Sequence, residues 1–116
     1  MKYMLLMYAN ESLEMNTPEE QQAVSQDVWF ALMKEMKDAG ALITQNGLAP
    51  TATATTVRVR EGKPLITDGP FAETHEQLGG FFLLDCKDLD EALRWAEKIP
   101  HALYGSVEVR PLWSEV

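Results

Sequence analysis

Two short stretches, Tyr3-Met4-Leu5-Leu6-Met7-Tyr8 and Leu78 to Cys86, are apolar at nearly every position. A strand buried on one face alternates apolar and polar residues, so a run that ignores the alternation belongs to a strand covered on both faces. Such strands occupy the middle of a sheet. Each is followed by a helix signal. Thr17-Pro18-Glu19-Glu20 reads as N-cap, first-turn proline and capping box. Behind it Val24, Val28, Leu32 and Met36 recur at intervals of four, flanked by Trp29 and Met33, and Gly40 ends the segment. Asp88 with Glu91 predicts a second capping box. Leu89, Ala92, Leu93, Ala96 and Ile99 form its buried stripe with Trp95 alongside, and Pro100 is the stop. At this spacing the aromatic and methionine residues read as core rather than as a cofactor box.

The other strands are more polar. Ala41 to Leu48 predicts one, with Asn46-Gly47 as a turn or bulge, and Tyr104 to Arg110 predicts the last, stopped by Pro111. Between Thr51 and Thr67 the residues alternate: Thr53, Thr55, Val57 and Val59 point one way, Ala54, Thr56, Arg58 and Arg60 the other. Glu61-Gly62 turns the chain back, so this stretch reads as an inserted hairpin. Without it the order is β-α-β-β-α-β, an α+β, ferredoxin-like plan whose antiparallel sheet runs 4-1-3-2 and carries both helices on one face. The first and third strands are central in that plan, in agreement with their apolar composition. The length, 116 residues, suits a single domain spanning 1–116, with the hairpin at about 51–67 and a tail at 111–116. Two helices cover one face only. Met4, Leu6 and Tyr8, with Phe81 and Leu83 or their alternates, are left as an apolar patch that a second copy is expected to cover, sheet on sheet. Trp113 in the tail is expected to pack, for instance on that partner.

Charge excludes some functions. Eighteen acidic against ten basic residues give −8, which argues against nucleic acid and anionic membrane as partners. The lone Cys86 forms no intramolecular disulfide and reads as a small buried hydrophobe in a reducing compartment. No run is long enough for a spanning helix, and the short apolar start lacks a cleavage pattern, so the cytoplasm is the expected location.

Chemistry concentrates between the hairpin and the second apolar strand, at Asp68-Gly69-Pro70-Phe71 and then Glu73, Thr74, His75, Glu76 and Gln77. Asp68 stands at a turn signal beside a buried strand. It is either a general acid or base or the residue that shapes an Asx-turn. Glu73 and Glu76, three apart, approach each other if the segment makes a helical turn, or else form a solvated rim. His75 between them has the chemistry of a proton shuttle or of a surface residue. The candidate catalytic residues are therefore Asp68, Glu73 and His75. His101, after Pro100, reads as a loop residue. Arg58 and Arg110, with Glu108 and Glu76, are candidate ligand contacts, because arginine forks suit carboxylate or phosphate groups. If Val107 and Val109 face the helices, Glu108 and Arg110 face the dimer cleft. There Arg110 either pairs with Asp68 or Glu73 or holds a small anion. No metal-binding or nucleotide-binding motif is present, so neither metal nor cofactor is expected. The Gly79-Gly80 pair predicts a close approach of two backbones, or of a backbone and a ligand.

The block Asp68-Gly69-Pro70-Phe71, Glu73, Glu76-Gln77-Leu78-Gly79-Gly80-Phe81 and the later Val107-Glu108-Val109-Arg110-Pro111 resemble the YCII-related family, in its DGPF branch. Lys2 to Leu6 and the Thr53 to Arg58 stretch are similar to that branch too. The resemblance implies a ferredoxin-like fold assembled as a dimeric α/β barrel. The family's activity is mostly unassigned; a few YCII relatives are lyase-like or dechlorinating enzymes, with a His-Asp pair proposed as catalytic in the YCII branch. The only histidines are His75 and His101 and the first helix has none, so that pair does not carry over whole. The DGPF branch further resembles proteins encoded beside extracytoplasmic-function sigma factors. Two readings follow. One is a homodimeric small-molecule enzyme doing cofactor-free elimination, isomerisation or dehalogenation on a small anionic or aromatic substrate. The other is a non-catalytic accessory or signalling protein that binds a small ligand or a partner protein.

Overall fold

A computed structural model describes residues 1–12 and 19–114, without the side chains of residues 19–25. The chain runs β1 (Lys2–Ala9), α1 (Glu19–Asp38), β2 (Leu42–Gly47), β3 (Thr55–Arg60), β4 (Lys63–Asp68), β5 (Gln77–Asp85), α2 (Leu89–Lys98), α3 (His101–Tyr104) and β6 (Ser106–Pro111). Among the described residues the strands make a four-stranded antiparallel sheet in the order β2-β5-β1-β6 and a separate ribbon, β3-β4. The two continuously apolar strands, β1 and β5, are the central pair. The fold is α+β, with an element and strand order compatible with a ferredoxin-like plan.

One face of the sheet carries the core. Tyr3, Leu5, Met7 and Ala9 of β1 alternate inward, as do Gly80, Phe82 and Leu84 of β5. Leu32 and Met36 of α1 and Ala92 and Ala96 of α2 close over them, together with Ile99 and Cys86. Trp29 stacks on Phe82 with ring centroids 5.8 Å apart. Val107 and Val109 of β6 pack against the same core. The helix stripes are narrower than expected: Val28, Leu89 and Leu93 are exposed, and Trp95 packs inward in place of the two leucines. In α2 the small Ala92 and Ala96 face the core, and the leucines on either side are turned out. Asp88 caps α2 as expected, its carboxylate accepting from the Glu91 amide at 2.9 Å while Glu91 accepts from the Lys87 amide at 3.0 Å. The capping box expected at Thr17, Pro18 and Glu20, and the Val24 side chain, lie outside the described residues.

Local departures have physical causes. The irregularity in β2 lies between Leu42 and Thr44 rather than at Asn46-Gly47. The last strand starts at Ser106, because Tyr104 ends α3. It includes Pro111, which needs no ladder donor at a strand end. His101 opens α3 rather than lying in a loop, and it is buried, with the rings of Trp29 and Tyr104 at 5.7 and 5.2 Å. Gly80 meets the expectation of close backbone approach. A Cβ there would lie 2.8 Å from the Asn46 carbonyl oxygen and 2.9 Å from the Met7 terminal methyl. Gly79 is the extra residue where the β1–β5 register shifts, Met7 pairing with Gly80 and Tyr8 with Leu78.

Candidate functional site

Antiparallel partners point their side chains to the same face, so the register decides what the open side of the sheet displays. Met4 lies opposite Leu83 and Arg110, Leu6 opposite Phe81 and Glu108, and Tyr8 opposite Leu78 and Ser106. Across the middle run Met4, Leu6, Phe81, Leu83 and Leu78, each only partly buried because the row's members shade one another. Thr44 and Asn46 of β2 border the row on one side and Ser106, Glu108 and Arg110 of β6 on the other. An apolar floor with a charged border is thus built into one surface.

The border is tied together. The Arg110 Nε donates to Glu108 Oε2 at 2.9 Å, and its Nη2 donates to the same oxygen. The Tyr8 hydroxyl donates to the other Glu108 oxygen at 3.4 Å. Beside it the Ser106 hydroxyl donates to Glu76 Oε1 at 2.8 Å, joining the loop before β5 to β6. Glu108, by hydrogen bond and charge, raises the pKa of Arg110 above its ordinary value and so holds the guanidinium firmly as a cation. Arg110 is exposed, and the two hydrogen bonds to Glu108 fix the plane of its guanidinium.

The remaining candidates fall elsewhere. Asp68 is the last residue of β4, paired with Thr55 and exposed. The turn after it is shaped by its neighbours. The Gly69 amide donates to the Ala54 carbonyl at 2.6 Å, the Thr56 hydroxyl to the Gly69 carbonyl at 2.8 Å, and Arg58 Nη2 to the Phe71 carbonyl at 3.0 Å. Gly69 has φ +100°, a conformation that favours glycine. Arg58 therefore pins the loop onto the ribbon. Glu73 and His75 are exposed in irregular backbone, so no helical turn brings Glu73 to Glu76, and Glu76 alone is partly buried. The structure joins Glu108 with Arg110 and sets Glu76 beside the same strand through Ser106. It places Asp68, Glu73, His75 and Arg58 on the ribbon and its exit loop. Arg110 takes as its partner Glu108, two residues away on its own strand.

Tyr8 and Ser106 are members of this cluster that residue-type reasoning passes over. Alternation put Tyr8 on the open face and Ser106 beside Glu108. The missing datum was the β1–β6 register, which brings those two faces together.

Other features set limits. The Cys86 thiol is pushed up to about 11 by burial and by the neighbouring Glu91 carboxylate, so it is not a nucleophile near neutral pH. Among the described residues no three His, Cys, Asp or Glu side chains converge as metal ligands do. No helix among them is long and apolar enough to cross a membrane.

Comparison with known proteins gives concordant results. A family model described as the YCII-related domain matches residues 1–115. An uncharacterised protein of Rhizobium meliloti (strain 1021) is 44% identical over 115 residues, covering 97% of this chain and 92% of its own length.

Proposed function

The chain belongs to the YCII-related family, and we propose that it is a homodimer that binds a small anionic, partly aromatic molecule and carries out cofactor-free acid–base chemistry on it. In this reading two sheets pack face to face as a dimeric α/β barrel of the DGPF branch, in the cytoplasm. The observation that carries it is the open face of the sheet. There the apolar row Met4, Leu6, Phe81 and Leu83 runs beside the Tyr8–Glu108–Arg110 cluster, and among the described residues no helix covers either. An apolar floor with a few convergent polar groups is the usual composition of a small-molecule site. Arg110 holds the anionic end of the ligand, and Tyr8 and Glu108 fix its orientation. Asp68, exposed at the end of β4, and Glu73 and His75, exposed in the loop after it, supply the acid–base groups, with Asp68 as the principal one.

The test is a turnover and binding screen of small aromatic and halogenated carboxylic acids on the natural protein, Asp68→Asn and Arg110→Ala. Arg110→Ala is expected to weaken binding by about tenfold or more, the loss of a charge-assisted contact of roughly 1.5–3 kcal/mol. Asp68→Asn is expected to keep binding and lose turnover. Binding without turnover in the natural protein assigns it to the non-catalytic class, and turnover unchanged in Asp68→Asn removes Asp68 from the mechanism.

A further inference from the structure

Among the described residues the β3-β4 ribbon forms no ladder with the four-stranded sheet, and its Val57, Val59 and Ile66 side chains are exposed. A two-stranded hairpin alone is marginal in water, so the ribbon's place depends on how its ends are tied. Internally the ribbon and its exit loop are one piece: Gly69 is bonded to Ala54 and Thr56, and Arg58 to Phe71. The tie at the ends is Glu11, just beyond β1. One oxygen of its carboxylate accepts from the Thr51 amide at 2.9 Å, and the other accepts from the Thr51 hydroxyl at 2.7 Å. Its own amide donates to Gln77 Oε1 at 2.9 Å. Thr51 opens a single helical turn, Thr51–Thr53, at the entrance to the ribbon, and the first amides of a helix have no partner within it. Gln77 opens β5 at the other end, and its Nε2 donates back to the Thr74 carbonyl of the exit loop. One residue thus closes the segment from 51 to 77 at both ends.

We infer that Glu11 is a positioning residue: it sets the acid–base segment, Asp68 to His75, in place relative to the Arg110 end of the same site. The inference rests on the reading of the site given above and adds the residue that joins its two halves. The joint is the end of β1. There Tyr8 donates to Glu108, the partner of Arg110, and shortly beyond it Glu11 holds Thr51 and Gln77. Asp68 pairs with Thr55, which follows the Thr51–Thr53 turn, so the tie at Thr51 reaches it through a short stretch of chain. A second tie acts at the same end of the sheet, where Ser106 donates to Glu76. Gln77 pairs with Ala9 on the helix side and Ser106 with Tyr8 on the open side, so the exit loop is held from both faces. A carboxylate that takes two donors binds them more firmly than a neutral acceptor does. Acid–base catalysis needs its group within hydrogen-bond reach of the reacting atom, and a misplacement of about 1 Å can cost about a hundredfold in rate. Glu11 acts by holding the backbone that carries those groups.

The experiment compares the natural protein with Glu11→Ala, Glu11→Gln, Thr51→Val and the double variant Glu11→Ala/Thr51→Val. It reads amide hydrogen exchange and the kinetics of whichever aromatic or halogenated acid turns over fastest in the screen above. In Glu11→Ala the amides of Thr51 and Gly69 are expected to exchange about tenfold faster or more, with those of Leu5 and Phe82 in the central strands unchanged. Its kcat is expected to fall about tenfold or more, while KM, set at Arg110, moves by less than about twofold. Glu11→Gln, whose amide oxygen still accepts from Thr51, is expected to recover part of both losses. Thr51→Val is expected to show a smaller effect, and the double variant no more than Glu11→Ala alone, because both substitutions act on one contact. Unchanged exchange at Thr51 and Gly69 in Glu11→Ala overturns the tie and leaves the reading of the site standing. Faster exchange there with kcat unchanged, or an equal rise at Leu5 and Phe82, overturns the positioning role. A natural protein that turns over none of the acids overturns the catalytic reading and the positioning role with it, whatever the exchange shows.

Discussion

The two faces of the sheet are built from the same two strands and have different fates. On the helix side Leu5, Phe82 and Leu84 are fully enclosed, and Trp29 stacks on Phe82. On the open side Leu6, Phe81 and Leu83 are just as apolar and lie one residue along, yet among the described residues no helix closes over them and a charged border runs beside them. Composition therefore does not distinguish a covered face from an open one. The difference lies in what the chain has left with which to cover each face: its long helix and α2 are both on one side. With no helix over it among the described residues, such an apolar row is a liability in water, and the proposed binding surface with the Tyr8–Glu108–Arg110 cluster at its border is one way to resolve that.

The largest effect that separates the faces comes from truncating neighbouring phenylalanines. Phe82→Ala is expected to destabilise the folded chain by about 3–5 kcal/mol in urea unfolding, the cost of an aromatic-sized cavity in a closed core. Phe81→Ala is expected to cost well under half of that in the single chain and to act mainly on self-association. Equal losses for the two would mean that the open face is packed as a core, and the distinction would go.

A smaller effect probes how tightly the helix-side strands are drawn together. Gly80→Ala places a Cβ against the Asn46 carbonyl and the Met7 methyl and is expected to cost about 1–3 kcal/mol, since backbone cannot yield as a side chain end can. Gly79→Ala, whose Cβ would have the Met7 carbonyl oxygen as its nearest neighbour at 4.0 Å, is the control and is expected to cost less. Reversal of that order would place the tight approach at the register shift instead.

The smallest effect is electrostatic and belongs to the covered side. Cys86 keeps its proton to about pH 11 in the folded chain, against 9.0 ordinarily. Between those values the unfolded chain binds fewer protons than the folded one, so stability is undiminished below pH 9 and falls as pH rises towards 11. Unfolding midpoints at pH 8 and pH 10.5 are expected to differ more for the natural protein than for Cys86→Ala. A thiol reagent at pH 8 is expected to modify Cys86 only after unfolding.

Much of the fold was legible because its signals are local. Asp88 and Glu91 cap α2 as their three-residue spacing says, and β1 and β5 are central as their doubly apolar composition says. The β-strand faces were legible too, since Val107 and Val109 turn inward and Glu108 and Arg110 outward. The exposure of Val28, Leu89 and Leu93 was not, because a helical repeat marks a direction and only the neighbouring sheet marks its width. His101 was misread as a loop residue for a related reason: its burial depends on Trp29, seventy-two positions earlier in the chain. The candidate site divided in the same way. Glu108 and Arg110 were placed on one face of one strand, but with Asp68 or Glu73 as the expected partner of Arg110; the Glu108–Arg110 pair came from the structure, and Tyr8 and Ser106 joined it only through the β1–β6 register.

The sequence by itself determined which residues share a face within each element, where α2 begins, and that two particular strands lie inside the sheet. These are properties of short stretches, governed by backbone period and by hydrogen bonds spanning a few residues. Only the tertiary structure decided that Tyr8 lies against Glu108, that Gly79 shifts the ladder, that Arg58 ties down the Phe71 loop, and that the ribbon's apolar face is bare. Those depend on the register between segments far apart in the chain, and one residue of slip would have moved every one of those side chains to the other face.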